Sequence, residues 1–409
     1  MQVNPQQLLD DGFIILPQVV PPEQLDGLRA SYETIVERQH RIWAGELDWD
    51  VPVAMDYKSK QPRIVLSAVV DAATADTVDF NLHDHTLGVS RQVMQAPEAA
   101  PVGMFLMCNP ATDHGPDPWH RDVVPERLAP LRGLQADMLA NAPGYVQWNI
   151  PLYDDDVLWV VPGSHRRANT AEEEHLLTEN PRAPLPGSVQ VRLKAGDGVV
   201  YSNLILHWPS DYSTKRRRTI HLGYRSFGGA LYPYDTHFYW DLGFTKHLSP
   251  VSRAQFERFA QLGAQERDRI ETLFRAMLAK DAATFRETLA LLHPGEAERM
   301  VAVVLFSKKA AQIRALKRPE IAGLPRNDRA TAVGDQRVSL YLLEDLAGRF
   351  SPDETELLWQ RLAPMDARLQ DTTAHPTPGF QGSESRYVSN EMPANFGVDD
   401  FIASWDESA

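Results

Sequence analysis

Residues 195–225 read "AGDGVVYSNLILHWPSDYSTKRRRTIHLGYR". "AGDG" is a turn signal, "GVVYSNLILH" is an apolar run of strand length that ends on His207, and "RTIHLGYR" opens another strand at Arg218. Two strands joined by a polar loop, with no helix between them, point to an antiparallel sheet. Both ends of the loop carry chemistry. An imidazole at the end of an apolar strand asks for a partner. A guanidinium at the inner wall of a sandwich is costly unless an anion meets it. A dicarboxylate would be such an anion, accepting the bidentate fork of Arg218.

The same texture extends outward from Arg63 to Phe227. "RIVLSAVV", "VGMFLMC", "YVQWNIPLY", "VLWVV" and "SVQVRLK" are strand-length runs separated by Gly, Pro, Asp and Asn. Many short strands without long helices between them predict an antiparallel sandwich or barrel, not a βαβ sheet. "TAEEEHLLTEN" and "APLPG" at 183–187 read as an insertion between strands. Upstream, residues 5–11 predict a short helix and "GFIILPQVV" a strand. "PPEQLDGLRASYETIVERQHRIW" then predicts a helix, with Pro in its first turn and Leu25, Leu28, Tyr32 and Ile35 on one face. Residues 44–62 read as irregular.

From about residue 251 the period changes to 3.6. Helical blocks are expected at 252–292, 295–316, 335–349 and 352–369, the last after the cap signal "SPDE". The expected organisation is therefore a mainly β domain over 1–250 with N-terminal helices, a helical extension over 251–370, and an irregular arm over 371–409. The extension could cover the barrel, close over a substrate, or support a homo-oligomer.

"DPWHRD" at 117–122 supplies a second chemical element. Residues i and i+2 of a strand share a face, so His120 and Asp122 can aim at one ion while Arg121 points away. An imidazole and a carboxylate suit divalent iron with open positions. Alone the pair is weak evidence, because one His-x-Asp is about what composition gives by chance. The same holds for "LHDHT", whose His83 and His85 have no third ligand at comparable spacing, and for His165 in the turn "PGSH". His221 and Arg225 stand at odd separations from Arg218, which puts them on the opposite strand face and outside a site built around it.

The 409-residue chain has a formal net charge of −14 and 43% apolar residues. Acidity of this size disfavours nucleic acid and anionic membranes as principal partners, and "KRRR" at 215–218 is too short to reverse it. The single Cys108 excludes an intrachain disulfide and a thiolate-built metal site, and fits a reducing cytoplasm. No basic, apolar leader opens the chain, and no run of eighteen apolar residues occurs, so neither signal peptide nor membrane span is expected.

In order along the chain, "DDGFIILPQVVPPEQLDGLR", "PWHRD", "VVPGSH", "AGDG" and the His207-to-Arg218 interval ending in "RRTIHLGYR" resemble the phytanoyl-CoA dioxygenase family. This is a branch of the iron(II)- and 2-oxoglutarate-dependent oxygenases. The resemblance covers roughly residues 7–230 and implies a double-stranded β-helix, the jelly-roll barrel of cupins. It implies His120, Asp122 and His207 as the iron ligands and Arg218 as the grip on the distal carboxylate of 2-oxoglutarate. Trp148 in "YVQWNIPLY" falls where relatives often touch the cosubstrate, although its alternation with Val146 and Ile150 is that of a core residue. Where relatives carry an "ENG"-like turn, this chain has "DDDVLW".

The implied activity uses O2 and 2-oxoglutarate, releases succinate and CO2, and hydroxylates a small or medium organic molecule. Related halogenases replace the carboxylate with a small residue, so Asp122 favours hydroxylation. The competing expectations are a catalytically silent barrel acting as a binding or scaffold protein, and a metal-dependent hydrolase or isomerase.

Overall fold

The computed structural model describes residues 1–47, 58–227, 239–295, 299–334, 340–394 and 397–406. Among these, the first strands are β1 (Phe13–Leu16), β2 (Arg63–Val65), β3 (Ala100–Cys108), β4 (Gly115–Pro116) and β5 (His120–Arg121). Then come β6 (Tyr145–Pro151), β7 (Asp155–Val160), β8 (Val189–Leu193), β9 (Gly198–Tyr201) and β10 (His207–Trp208). The rest are β11 (Ser210–Asp211), β12 (Arg218–Arg225), β13 (Gln370–Pro376), β14 (Gly379–Phe380) and β15 (Glu384–Tyr387).

A six-stranded sheet runs β1-β9-β6-β12-β3-β2, and a five-stranded sheet runs β14-β5-β10-β7-β8. These are the two layers of the expected jelly roll with its helical additions. Alternation decides what each face of the larger sheet meets. Val146, Trp148 and Ile150 of β6 and Ile220, Leu222 and Tyr224 of β12 share one core with Leu28, Tyr32 and Ile35 of helix Pro22–Trp43. The alternate residues, Gln147, Asn149 and His221, turn the other way and line a cavity. That cavity also takes His120 and His207 from the smaller sheet, so it lies between the layers. Apolar packing between the layers continues beside it through Leu158, Val160 and Val191 with Val199, Tyr201 and Ile205.

Two strand expectations needed correction. "RIVLSAVV" is a strand only over β2. Its second half is a helical turn, Leu66–Val69, whose Leu66 and Val69 bury in the helix-side core. "GVVYSNLILH" is two strands broken by a turn. The Ser202 hydroxyl accepts from the Leu204 N–H at 3.2 Å and the Ser202 carbonyl from the Ile205 N–H at 3.2 Å. Such local bonds compete with a ladder. The break carries the chain from the larger sheet to the smaller one just before His207. Helix Leu131–Asn141, which "LRGLQADMLAN" with its internal Gly133 did not suggest, buries Leu131 and Met138.

The extension contains helices Pro250–Ala279, Ala282–Leu292, Arg299–Leu316, Leu340–Arg349 and Pro352–Ala367. The last opens with the anticipated capping box, Ser351 and Glu354 bonding reciprocally. Phe274, Phe285, Phe306, Leu343 and Leu362 form one core with Val123, Leu128 and Leu204 of the β region, so the extension is packed onto the barrel. The expected helical starts at 295 and 335 fall partly outside the described residues, as does most of the 44–62 segment. The arm is more ordered than its composition suggested. It forms the β13–β15 ladder and then adds β14 to the smaller sheet.

Candidate metal centre

Strand β5 presents His120, and Asp122 follows on the same side. The Asp122 N–H donates to the Asn203 carbonyl at 2.9 Å, holding this segment against the turn before His207. β10 pairs with β5 so that His207 sits directly opposite His120. Cross-strand pairing therefore brings together residues 87 positions apart in the chain. One ligand atom from each of His120, Asp122 and His207 lies within 4.8 Å of the others, and these three form the metal-competent cluster found among the described residues. His83 and His85 contact each other, the Phe80 ring and the Val19 carbonyl.

Both imidazoles are oriented by their distal nitrogens. His120 Nδ1 bonds the Pro118 carbonyl at 2.8 Å and His207 Nδ1 the Ile205 carbonyl at 3.0 Å. That fixes the tautomer and leaves each Nε2 with a lone pair toward Asp122. The Nε2–carboxylate separations are 3.6 and 3.7 Å, too long for hydrogen bonds and open enough for an ion between them. Burial pushes the His207 imidazole down to about 4, outweighing the nearby Asp122 charge, so it stands neutral as a ligand must. Burial alone would raise the Asp122 carboxyl. The two imidazoles and a hydrogen bond from Gln147 Nε2 to Oδ2, 2.5 Å, hold it below the ordinary range. The donor set thus fits divalent iron.

The remaining sequence-derived assignments divide by strand phase. Arg218 is not at the cavity. Its guanidinium, 11% exposed, points toward helix Pro22–Trp43 and bonds Glu33 at 3.2 Å and Asn109 at 3.1 Å. Trp148 is fully buried in the helix-side core, where its Nε1 donates to Ser90 at 2.9 Å. Both belong to the even phase of their strands, and the odd phase faces the cavity. His221, set aside because it opposes Arg218, is for that reason inside. It bonds Asn149 at 2.8 Å, and burial pushes its imidazole down to about 3. Arg225 instead bonds Glu266 on helix Pro250–Ala279. His165 is structural, fully buried with Nε2 bonded to the Leu9 carbonyl at 3.0 Å.

Two guanidiniums do line the cavity. Arg217 lies between buried carboxylates, 3.1 Å from Asp155 and 3.3 Å from Asp211. Arg63 has the neutral amide oxygen of Gln61 as its hydrogen-bond partner. Sequence reasoning missed both. The available signal for Arg217 was alternation: in "QWN" the residues two apart, Gln147 and Asn149, face the cavity, and in "RRTIH" so do Arg217 and His221 on either side of buried Ile220.

Two histidines and an aspartate grouped on one wall of a barrel cavity, with open space beside them, are the donor arrangement of the mononuclear non-haem iron oxygenases. The chain belongs to the phytanoyl-CoA dioxygenase (PhyH) family of iron(II)- and 2-oxoglutarate-dependent oxygenases, whose family model matches residues 8–220, just over half of its length. No curated protein sequence matches it. Among solved structures it is similar to AviO1 from Streptomyces viridochromogenes Tue57, with 23% identity over 54% of this chain and 93% of that one, TM-score 0.39. HygX from Streptomyces hygroscopicus, solved with nickel, 2-oxoglutarate and hygromycin B, shows 17% identity over 55% and 88%, TM-score 0.39. EctD from S. alaskensis, solved with 2-oxoglutarate and 5-hydroxyectoine, shows 15% over 56% and 77%, TM-score 0.39. Among the described residues no helix is long and apolar enough to cross a membrane.

Proposed function

We propose that this oxygenase hydroxylates a small or medium organic metabolite, consuming 2-oxoglutarate and O2 and releasing succinate and CO2. The observation that carries the reading is the convergence of His120, Asp122 and His207 on the wall of a cavity of about 870 Å³. Such a volume accommodates a cosubstrate together with a compact substrate. Bound iron would supply the redox chemistry with O2. The protein's own groups set the stage. His120 and His207 offer ring nitrogens, Asp122 offers a charge, and Gln147 holds that carboxylate in place. Asp122 also occupies the position a halide would need, which favours hydroxylation.

The cosubstrate is dianionic, and the cavity-facing cations Arg63 and Arg217 replace Arg218 as its proposed anchors. Arg63 has the stronger case because, among the described residues, its side chain bonds the Gln61 amide and no carboxylate directly. Trp148 is assigned to packing.

The test is substrate-stimulated succinate release with iron(II), 2-oxoglutarate and O2, with Asp122→Ala as the blank. Anaerobic addition of iron(II) and 2-oxoglutarate should give a weak visible charge-transfer band that His207→Ala abolishes. A colourless wild-type protein would sink the proposal.

A further inference from the structure

The family match ends at residue 220, yet the cavity does not end with it. Residues 376–383, from the far C-terminal arm, form part of its lining. They reach it by main-chain pairing. β14 adds in parallel to β5, with Gly379 opposite His120 and Phe380 opposite Arg121. The Gln381 N–H donates to the Val123 carbonyl at 3.2 Å. A strand from the extension is thus laid along the strand that carries a metal ligand.

The attachment is specific. Arg121, between His120 and Asp122, is fully buried and donates to Asn169 Oδ1 at 2.7 Å. Asn169 Nδ2 in turn donates to the Pro378 carbonyl at 3.0 Å. Gly379 has φ +78°, and a Cβ there would come within 3.1 Å of Leu177 and Leu206. Only glycine fits this approach. At the base of the arm, Tyr387 bonds Asp366 at 3.1 Å, and Lys308 reaches both Asp366 and the Tyr387 ring. Helices Arg299–Leu316 and Pro352–Ala367 therefore hold the segment in place.

We propose that residues 376–383 are the substrate-selecting wall of the active site, and that the substrate is an uncharged polar organic molecule. The inference rests on the oxygenase reading above. The segment, "PTPGFQGS", carries no charge. Thr377, whose hydroxyl donates to the Gly382 carbonyl at 3.1 Å, and Phe380 are buried, and Gln381 and Ser383 are its exposed polar side chains beside the prolines. Among the described residues, apart from Arg217, which two carboxylates already bind, and Arg63, which the cosubstrate needs, no Lys or Arg lines the cavity. Nothing there balances the several phosphate charges of a CoA thioester.

The experiment uses the full chain loaded with iron(II), 2-oxoglutarate and O2. It measures succinate release stimulated by a panel of neutral polyols, glycosides and aromatic lactones and, separately, by CoA thioesters. The neutral panel should stimulate and the thioesters should not. Gln381→Trp, at an exposed position that needs no repacking, should raise the half-saturating concentration of the best neutral compound at least tenfold, and that of 2-oxoglutarate less than threefold. Gly379→Ala should do the same, and Glu384→Gln, on β15 outside the cavity, should do neither. Stimulation chiefly by thioesters, or a less than twofold change for the neutral compound in Gln381→Trp, overturns this inference while leaving the oxygenase reading intact. Absence of the iron–2-oxoglutarate band in the wild type overturns both.

Discussion

Gln147 Nε2 donates to Asp122 Oδ2 at 2.5 Å, so a β6 side chain of the larger sheet fixes a metal-ligand carboxylate carried by the smaller one. The carboxylate's second oxygen is thereby committed, and one orientation toward the two imidazoles is favoured. Removing an outer partner of a ligand typically costs about 10–100-fold in metal affinity. Gln147→Leu, similar in volume but unable to donate, should weaken iron(II) binding by about that factor. Anaerobic titration followed by the charge-transfer band would measure it. Unchanged affinity would mean that the bond does not orient Asp122.

Arg63 and Arg217 line the cavity, whereas Arg218 turns away to Glu33. Arg63→Met should raise the half-saturating 2-oxoglutarate concentration by at least tenfold, the scale of one lost charge-assisted bond of about 1.5–3 kcal/mol. Arg217→Met should also raise it, with added instability because Asp155 and Asp211 lose their counterion. Arg218→Met should leave the 2-oxoglutarate requirement within about threefold and lower the melting temperature, since it breaks the contact with Glu33. Steady-state succinate assays beside thermal melts give both readouts. A tenfold effect in Arg218→Met alone would restore the assignment made from spacing.

That reversal shows what one chain can and cannot disclose. His120, Asp122 and His207 were legible because two lie at i and i+2 and the third ends an apolar run. Arg218 was placed by counting from His207, but in a strand a single-residue offset exchanges the faces. Counting cannot supply the phase. Alternation can, since Ile220, Leu222 and Tyr224 seek the helix-side core and force His221 inward. The pairing of Arg218 with Glu33, 185 positions away, had no local signature at all. Nor did β14, a two-residue strand whose partner lies in β5.

Phe285 tests whether the chain's last described helix is a docked part of the fold. It is 1% exposed, with its ring centroid 5.8 Å from Phe401 and 5.1 Å from Trp405. Phe285→Ala should cost about 3–5 kcal/mol, the range for a buried aromatic. Because the pair lies in the extension's core, the iron-binding band should survive below the lowered melting point. A loss under about 1 kcal/mol in chemical denaturation would show that these aromatic contacts do not persist in solution.

His293 and Asp137 should give stability a pH dependence that the metal site does not share. His293 Nε2 bonds Asp137 Oδ1 at 2.7 Å and Nδ1 the Gly295 carbonyl at 3.1 Å. Both partners are acceptors, so the doubly protonated ring satisfies them best. Burial opposes that charge, but the hydrogen bond and the Asp137 carboxylate outweigh it and raise the imidazole above its usual 6.5. The folded state therefore holds a proton that the unfolded chain has released once the pH passes 6.5. This contribution is complete below about pH 6.5 and is lost as the pH rises through the folded-state value. Denaturation of the apoprotein beside Asp137→Asn at pH steps from 6 upward should show the wild type's advantage over the variant shrinking in that window. The buried His165, His207 and His221, whose imidazoles burial pushes down, drive total stability the other way. Asp137→Asn should remove this opposing contribution, so that stability rises more steeply with pH, and should lower stability at pH 6 by about 3 kcal/mol, as expected when a buried pair loses one member. An unchanged slope in Asp137→Asn would assign the pH dependence to other groups.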